Sequence, residues 1–170
     1  HLLGLIACES GKNMIAVDLI TRALDLKPDY AEAHSNLGNA LRNLGRSVDA
    51  LASYEKALTI NPHYAEALNN QGLVFQDIGK LDEALTSYQK AVAIKPNLFA
   101  AHNNLGIVLK RLGKLEDAVT SYQKAIAFKP GLPEIHNNLG NVLQKLGKLD
   151  DAVSSYHKAI VLKPDYADAY

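Results

Sequence analysis

Apolar residues along this chain recur with the spacing of α-helices, and the whole pattern repeats every 34 residues. In one repeat, a first helical run contains Ala33, Leu37, Leu41 and Leu44, and a second run, after a glycine, contains Val48, Leu51, Tyr54 and Leu58. Each repeat is therefore predicted to fold as two helices. The fold class that follows is all-α.

The repeats cover the whole chain. Prolines keep the period at Pro28, Pro62, Pro96, Pro130 and Pro164. We predict one continuous repeat domain that consists of a partial repeat in 1–30, complete repeats in 31–64, 65–98, 99–132 and 133–166, and the start of another in 167–170. A fixed period of this size is typical of a solenoid in which each unit covers the apolar face of its neighbour. Because the first and last segments are incomplete, we interpret the sequence as a piece of a longer protein.

Two glycines in each repeat have different predicted roles. Gly45 follows the first helix and is expected to end it in a left-handed conformation, while Pro62 follows the second helix and prevents its continuation. Gly38 lies inside the first helix, where glycine costs about 1 kcal/mol relative to alanine. Its recurrence predicts that a neighbouring helix comes too close for a side chain at this position.

These residues resemble the tetratricopeptide repeat family, whose motif is matched in order by Leu37, Gly38, Gly45, Ala50, Tyr54, Ala57 and Pro62 and by their equivalents in later repeats. The resemblance implies a right-handed superhelical solenoid of antiparallel helix pairs, with a concave groove lined by the first helix of each pair. The bulky aromatic residue that the family often has early in the first helix is replaced here by His34, Leu68, His102 and His136.

The resemblance also places asparagines in register along the groove. Four form a ladder, Asn36, Asn70, Asn104 and Asn138, and five accompany it, Asn39, Asn69, Asn103, Asn137 and Asn141. An amide offers two donors and an acceptor oxygen, which suits pairing with the backbone of an extended peptide whatever its side chains. We therefore predict a peptide-binding groove at these nine residues. The alternative is that the amides only link or solvate adjacent helices.

The charges argue against nucleic acid as a partner. The chain has 18 basic and 18 acidic residues, and the residues expected to line the groove also balance: Arg42, Lys110, Arg111 and Lys145 against Glu32, Glu66, Asp77 and Glu134. A nucleic-acid groove should carry a basic excess. The apolar runs are too short to span a bilayer, so we expect no membrane partner. The predicted partner is a protein or peptide.

The sequence contains no pattern that indicates catalysis, a cofactor or a metal site. His34, His102 and His136 occupy equivalent places in different repeats, too far apart to share an ion, so we interpret them as packing or groove residues. Cys8 is the single cysteine, which excludes an internal disulfide and favours a reducing compartment, cytoplasmic or otherwise intracellular. We interpret it as a small apolar residue in a helix.

The predicted function is that of a non-catalytic scaffold that binds an extended polypeptide. An alternative comes from the Asn-Leu-Gly segments at 36–38 and 138–140, which resemble the repeats of O-linked N-acetylglucosamine transferases. That resemblance implies a substrate-recruiting arm whose catalytic domain is absent. A second alternative is a structural spacer or self-assembling array. We also expect weak end-to-end self-association through apolar residues such as Val153, Ile160 and Leu162.

Overall fold

The computed structural model describes residues 1–164, which form ten α-helices and no strand. The helices are α1 (Leu2–Glu9), α2 (Asn13–Leu26), α3 (Ala31–Asn43), α4 (Ser47–Ile60), α5 (Ala65–Asp77), α6 (Leu81–Ile94), α7 (Phe99–Arg111), α8 (Leu115–Phe128), α9 (Pro133–Lys145) and α10 (Leu149–Leu162). The all-α prediction is confirmed. The predicted start of another repeat in 167–170 lies outside the described residues. None of the helices within 1–164 has the length and apolar character needed to cross a bilayer.

The described residues divide into two compact units, unit 1 in His1–Lys90 and unit 2 from Ala91 onward. In unit 1, helices α1 to α5 pack in chain order, and the first helices α3 and α5 also contact each other. In unit 2, helices α7 to α10 pack in the same way, and the first helices α7 and α9 contact each other. The residues of two successive first helices therefore lie side by side within each unit.

A glycine ends each first helix in the conformation that the sequence predicted. Gly45 has φ of 73°, and its N–H donates to the Arg42 carbonyl at 2.9 Å while the Arg46 N–H donates to the Leu41 carbonyl at 2.9 Å. These two bonds satisfy carbonyls that the helix end would otherwise leave unpaired. The same conformation recurs at Gly11, Gly79, Gly113 and Gly147.

The glycine inside the first helices α3, α5, α7 and α9 makes room for the tyrosine of the following second helix. A Cβ atom at Gly38 would lie 2.7 Å from Cε1 of Tyr54, and one at Gly72 would lie 2.6 Å from Cε1 of Tyr88. The rings of Tyr54 and Tyr88 are fully buried. The prediction of a close approach at Gly38 is confirmed, and the neighbour is an aromatic ring.

The buried face of the second helix includes only some of its apolar residues. In α4 it consists of Ala50, Ser53, Tyr54 and Ala57, with Leu51 and Leu58 partly buried beside it. Val48 belongs to the same helical run but is 81% exposed, so it lies outside this buried face. Beside the large ring of Tyr54, the other fully buried residues of this face are small.

Candidate binding surface

The ladder asparagines lie on adjacent first helices within each unit. Asn36 and Asn70 belong to α3 and α5 in unit 1, and Asn104 and Asn138 belong to α7 and α9 in unit 2. All four side chains are half-buried. Each is therefore packed by neighbours on one side and exposed to solvent on the other, which is the arrangement that a polar contact surface requires.

In unit 1 some of these amides bond to one another. Asn70 Nδ2 donates to Asn39 Oδ1 at 2.9 Å, which joins α5 to α3, and the Tyr54 hydroxyl donates to the same oxygen at 2.7 Å. Asn69 Nδ2 donates to Asn70 Oδ1 at 3.1 Å. Asn36 Nδ2 lies 3.0 Å from His1 Nε2. The predicted alternative role, that of linking helices, is therefore present at Asn70 and Asn39.

Unit 2 leaves more of its amide capacity unused. Asn141 Oδ1 accepts a hydrogen bond from Tyr156 at 2.9 Å, but the Asn138 amide makes no hydrogen bond to any residue within 1–164. The Oδ1 atoms of Asn103 and Asn137 are buried and also lack a partner. Asn138 is thus the ladder amide with both its donors and its acceptor available.

The nine predicted binding residues are not equally accessible. Asn69 and Asn137 are only 7% and 6% exposed. These two are better described as packed polar residues than as part of an open surface. The half-buried residues Asn36, Asn39, Asn70, Asn103, Asn104, Asn138 and Asn141 constitute the candidate surface.

The three histidines have a common structural role. Nε2 of His34 lies 2.8 Å from the Pro28 carbonyl oxygen, and the same contact joins His102 to Pro96 at 2.8 Å and His136 to Pro130 at 2.9 Å. Since a carbonyl can only accept, each Nε2 is the donor. The bond ties the loop before each first helix to that helix. In residues 1–164 no group of three or more His, Cys, Asp or Glu side chains could hold a metal ion.

Sequence reasoning missed two clefts on the other side of the helix pairs. A cleft of about 680 Å³ in unit 1 has His34, Leu37 and Ser53 in its lining, and one of about 310 Å³ in unit 2 has their equivalents His136, Leu139 and Ser155. Both lie between successive second helices. The 34-residue period could have shown that the two clefts are equivalent, because their corresponding lining residues are separated by whole repeat lengths.

Comparison with known proteins agrees with the fold. Models described as tetratricopeptide repeat match residues 31–64, 133–166 and 53–86, and a TPR repeat model matches residues 72–113 and 111–147. No curated protein matches the chain significantly. The similarity of the repeats to those of O-linked N-acetylglucosamine transferases stays a prediction.

Several solved structures share the architecture. MamA is 26% identical with a TM-score of 0.85, over 96% of this chain and 96% of its own. A thermophilic TPR protein from Thermus thermophilus, TTC0263, is 26% identical with a TM-score of 0.76, over 98% of this chain and 91% of its own. YrrB, a TPR protein with an unusual peptide-binding site, is 23% identical with a TM-score of 0.79, over 98% and 86%.

Proposed function

The chain belongs to the tetratricopeptide repeat family, and from that premise we propose that it is a non-catalytic scaffold that binds an extended polypeptide. The family and the fold support a protein-interaction role in general. The more specific proposal is that half-buried amides on the first helices hold the backbone of the ligand. YrrB, which has the same fold, is described as having a peptide-binding site, so this architecture is compatible with such a site.

The observation that carries the proposal is the state of Asn138. Its side chain is half-buried on α9 and makes no hydrogen bond within residues 1–164. A fixed amide can donate to a peptide carbonyl and accept from a peptide N–H at the same time. Partial burial improves both interactions, because water competes less well for a polar group that already has packed neighbours.

Backbone recognition explains why the surface needs few charges. Hydrogen bonds to peptide N–H and C=O groups are available from any sequence, so affinity comes from the main chain and side chains add selectivity. Asn70 and Asn39 would contribute less, since their mutual bond already uses one donor and one acceptor. The proposal therefore assigns the larger share of ligand contact to α7 and α9.

A binding titration tests the proposal. Short peptides selected from a random library for binding to the chain are titrated against the wild-type protein and against Asn138→Ala. We expect the affinity to fall about fivefold, because one hydrogen bond contributes about 1 kcal/mol. Helicity and melting temperature should be unchanged, since alanine is a better helix former than asparagine.

Gln89→Ala is the matched control. Gln89 is an exposed amide on the second helix α6, where the proposal places no ligand. Its removal should leave affinity unchanged. If Asn138→Ala binds the selected peptides as tightly as the wild type, or if Gln89→Ala loses as much affinity, the first-helix amides do not hold the ligand.

A further inference from the structure

Three basic residues lie at the ends of the first helices of unit 2. Lys110 and Arg111 are in the last turn of α7, and Lys145 is in the last turn of α9. A cation in this position interacts favourably with the helix dipole, and Arg42 occupies the equivalent turn of α3 in unit 1. The helix dipole therefore explains why a helix end carries a cation. It does not explain why the cations at the ends of α7 and α9 are neighbours.

Unit 1 shows how close these positions come. Arg42 Nε donates to Asp77 Oδ2 at 2.7 Å, an ion pair that joins the end of α3 to the end of α5. Lys110 and Lys145 follow Arg42 and Asp77 by two repeat lengths each. The same two places in unit 2 thus carry a pair of like charges where unit 1 has a salt bridge.

The surroundings of Lys110 agree with this arrangement. Lys110 is half-buried, and its pKa is lowered first by burial and then by the charge of Lys145. Neither lysine forms an ion pair within residues 1–164. Two neighbouring ammonium groups without a counter-charge repel each other, and an added anion would remove that repulsion.

Besides the two lysines, a third hydrogen-bond donor without an acceptor lies in 99–132, the repeat that contains Lys110. The Tyr122 hydroxyl is buried and has no hydrogen-bond partner. In other repeats the tyrosine hydroxyl donates to Asn39, Gln76, Asn141 or Gln144. The register replaces the asparagine acceptor by Ile107 and the glutamine acceptor by Lys110. This repeat has therefore lost its acceptors and gained a donor at the end of α7.

We propose that Lys110 and Lys145 form an anion site that binds a carboxylate from an acidic segment of the polypeptide ligand. The inference rests on the proposed function and adds a preference for Asp or Glu near the residue held by Asn138. A polynucleotide would need a longer run of basic contacts, whereas this site offers two lysines, with Arg111 in the same last turn of α7 as Lys110 and Glu134 at the other end of α9. One or two carboxylates match that charge.

The test uses two synthetic peptides, one with alternating Asp and Ser residues and one with Asn in place of every Asp. Each is titrated into the isotope-labelled chain and followed by NMR at low salt. We expect the acidic peptide to bind about tenfold more tightly than the amide copy, with shifts in the last turns of α7 and α9, because hydrogen bonds to charged groups are the stronger ones. Added salt should reduce the difference.

Variants of the two lysines complete the test. Lys145→Asp recreates the Arg42 and Asp77 pairing, so it should keep or raise the melting temperature while it abolishes the preference for the acidic peptide. Lys110→Gln should reduce the preference without unfolding. Lys124→Gln, which removes an exposed lysine on the second helix α8, is the control and should leave it unchanged.

The outcomes separate this inference from the proposed function. If both peptides bind equally and shift the NMR signals of Asn138, the backbone-binding proposal stands and the anion site is wrong. If Lys124→Gln and Lys110→Gln reduce the preference for the acidic peptide equally, the anion site is also wrong, because the acidic peptide would then be attracted to positive charge anywhere on the chain. If the acidic peptide alone binds and depends on both lysines but not on Asn138, the anion site stands and the amide mechanism fails.

Discussion

At the scale of single residues, the tyrosines of the second helices α4, α6 and α8 combine a constant ring position with a variable hydroxyl environment. The rings of Tyr54, Tyr88 and Tyr122 are fully buried. Burial raises the pKa of each hydroxyl far above its ordinary value. Only the partners differ, since Tyr54 donates to Asn39 whereas Tyr122 has no acceptor.

This difference predicts opposite results for the same substitution. Tyr54→Phe should cost about 1 kcal/mol of unfolding free energy, because it breaks a hydrogen bond to a half-buried amide. Tyr122→Phe should be neutral or stabilising, because it removes a buried hydroxyl that has lost its water without gaining a partner. Chemical denaturation of both variants measures the contrast. A loss at Tyr122 as large as that at Tyr54 would contradict the assignment.

The raised tyrosine pKa values also fix the direction of the pH dependence. The folded chain keeps these hydroxyls neutral to higher pH than the unfolded chain does. Their contribution to stability is therefore complete below the unfolded tyrosine pKa, about 10, and is lost as pH rises from there through the folded pKa. Stability should fall at alkaline pH, and less steeply in Tyr122→Phe.

At the scale of helices, the packing of the pairs α3–α4, α5–α6, α7–α8 and α9–α10 depends on a glycine that faces a tyrosine ring. Gly72→Ala should destabilise the chain by about 1 to 3 kcal/mol, although alanine favours helix, because its Cβ would lie 2.6 Å from the buried Tyr88 ring. Gly131→Ala is the control, since a Cβ there meets no atom within 4 Å. Thermal unfolding compares them, and equal stabilities would show that the ring moves aside without cost.

Much of the helical structure of each repeat could be predicted from the sequence. The period of Pro62 and its equivalents and the apolar spacing give two helices per repeat, and Gly45 gives the end of the first, because these features depend on local geometry. The exposure of Val48 could not be predicted, since helical spacing alone fits more than one face. The bond between Asn70 and Asn39 also depends on the distance between helices, which the sequence does not specify.

At the scale of the whole molecule, residues near both ends are exposed where their equivalents elsewhere are buried. Leu3 and Ile6 in α1 are 68% and 59% exposed, whereas Leu105 and Val108 hold the same places in α7 and are buried. Val153 in α10 is 67% exposed, and its equivalent Leu85 is buried. The exposed sets have the chemistry of the surfaces that successive repeats bury against each other.

We therefore expect the 170-residue polypeptide to associate weakly, with the α10 face of one copy against the α1 face of another. Sedimentation across a concentration series measures this association. Val153→Glu should weaken it, because a charge cannot be buried there cheaply. Val48→Glu changes another exposed valine, 81% exposed and away from both ends, and should have no effect. A strictly monomeric profile at the highest concentration would contradict the expectation.

NMR of the asparagine side-chain amides in a bound complex shows whether first-helix amides hold the backbone of an extended polypeptide. If they do, the NMR signals of the Asn138 amide shift on binding and show intermolecular contacts to peptide backbone protons, and peptides of unrelated sequence give the same contacts. Peptide contacts confined to exposed residues of the second helices α8 and α10, with the NMR signals of the Asn138 amide unchanged, would contradict this mode of binding.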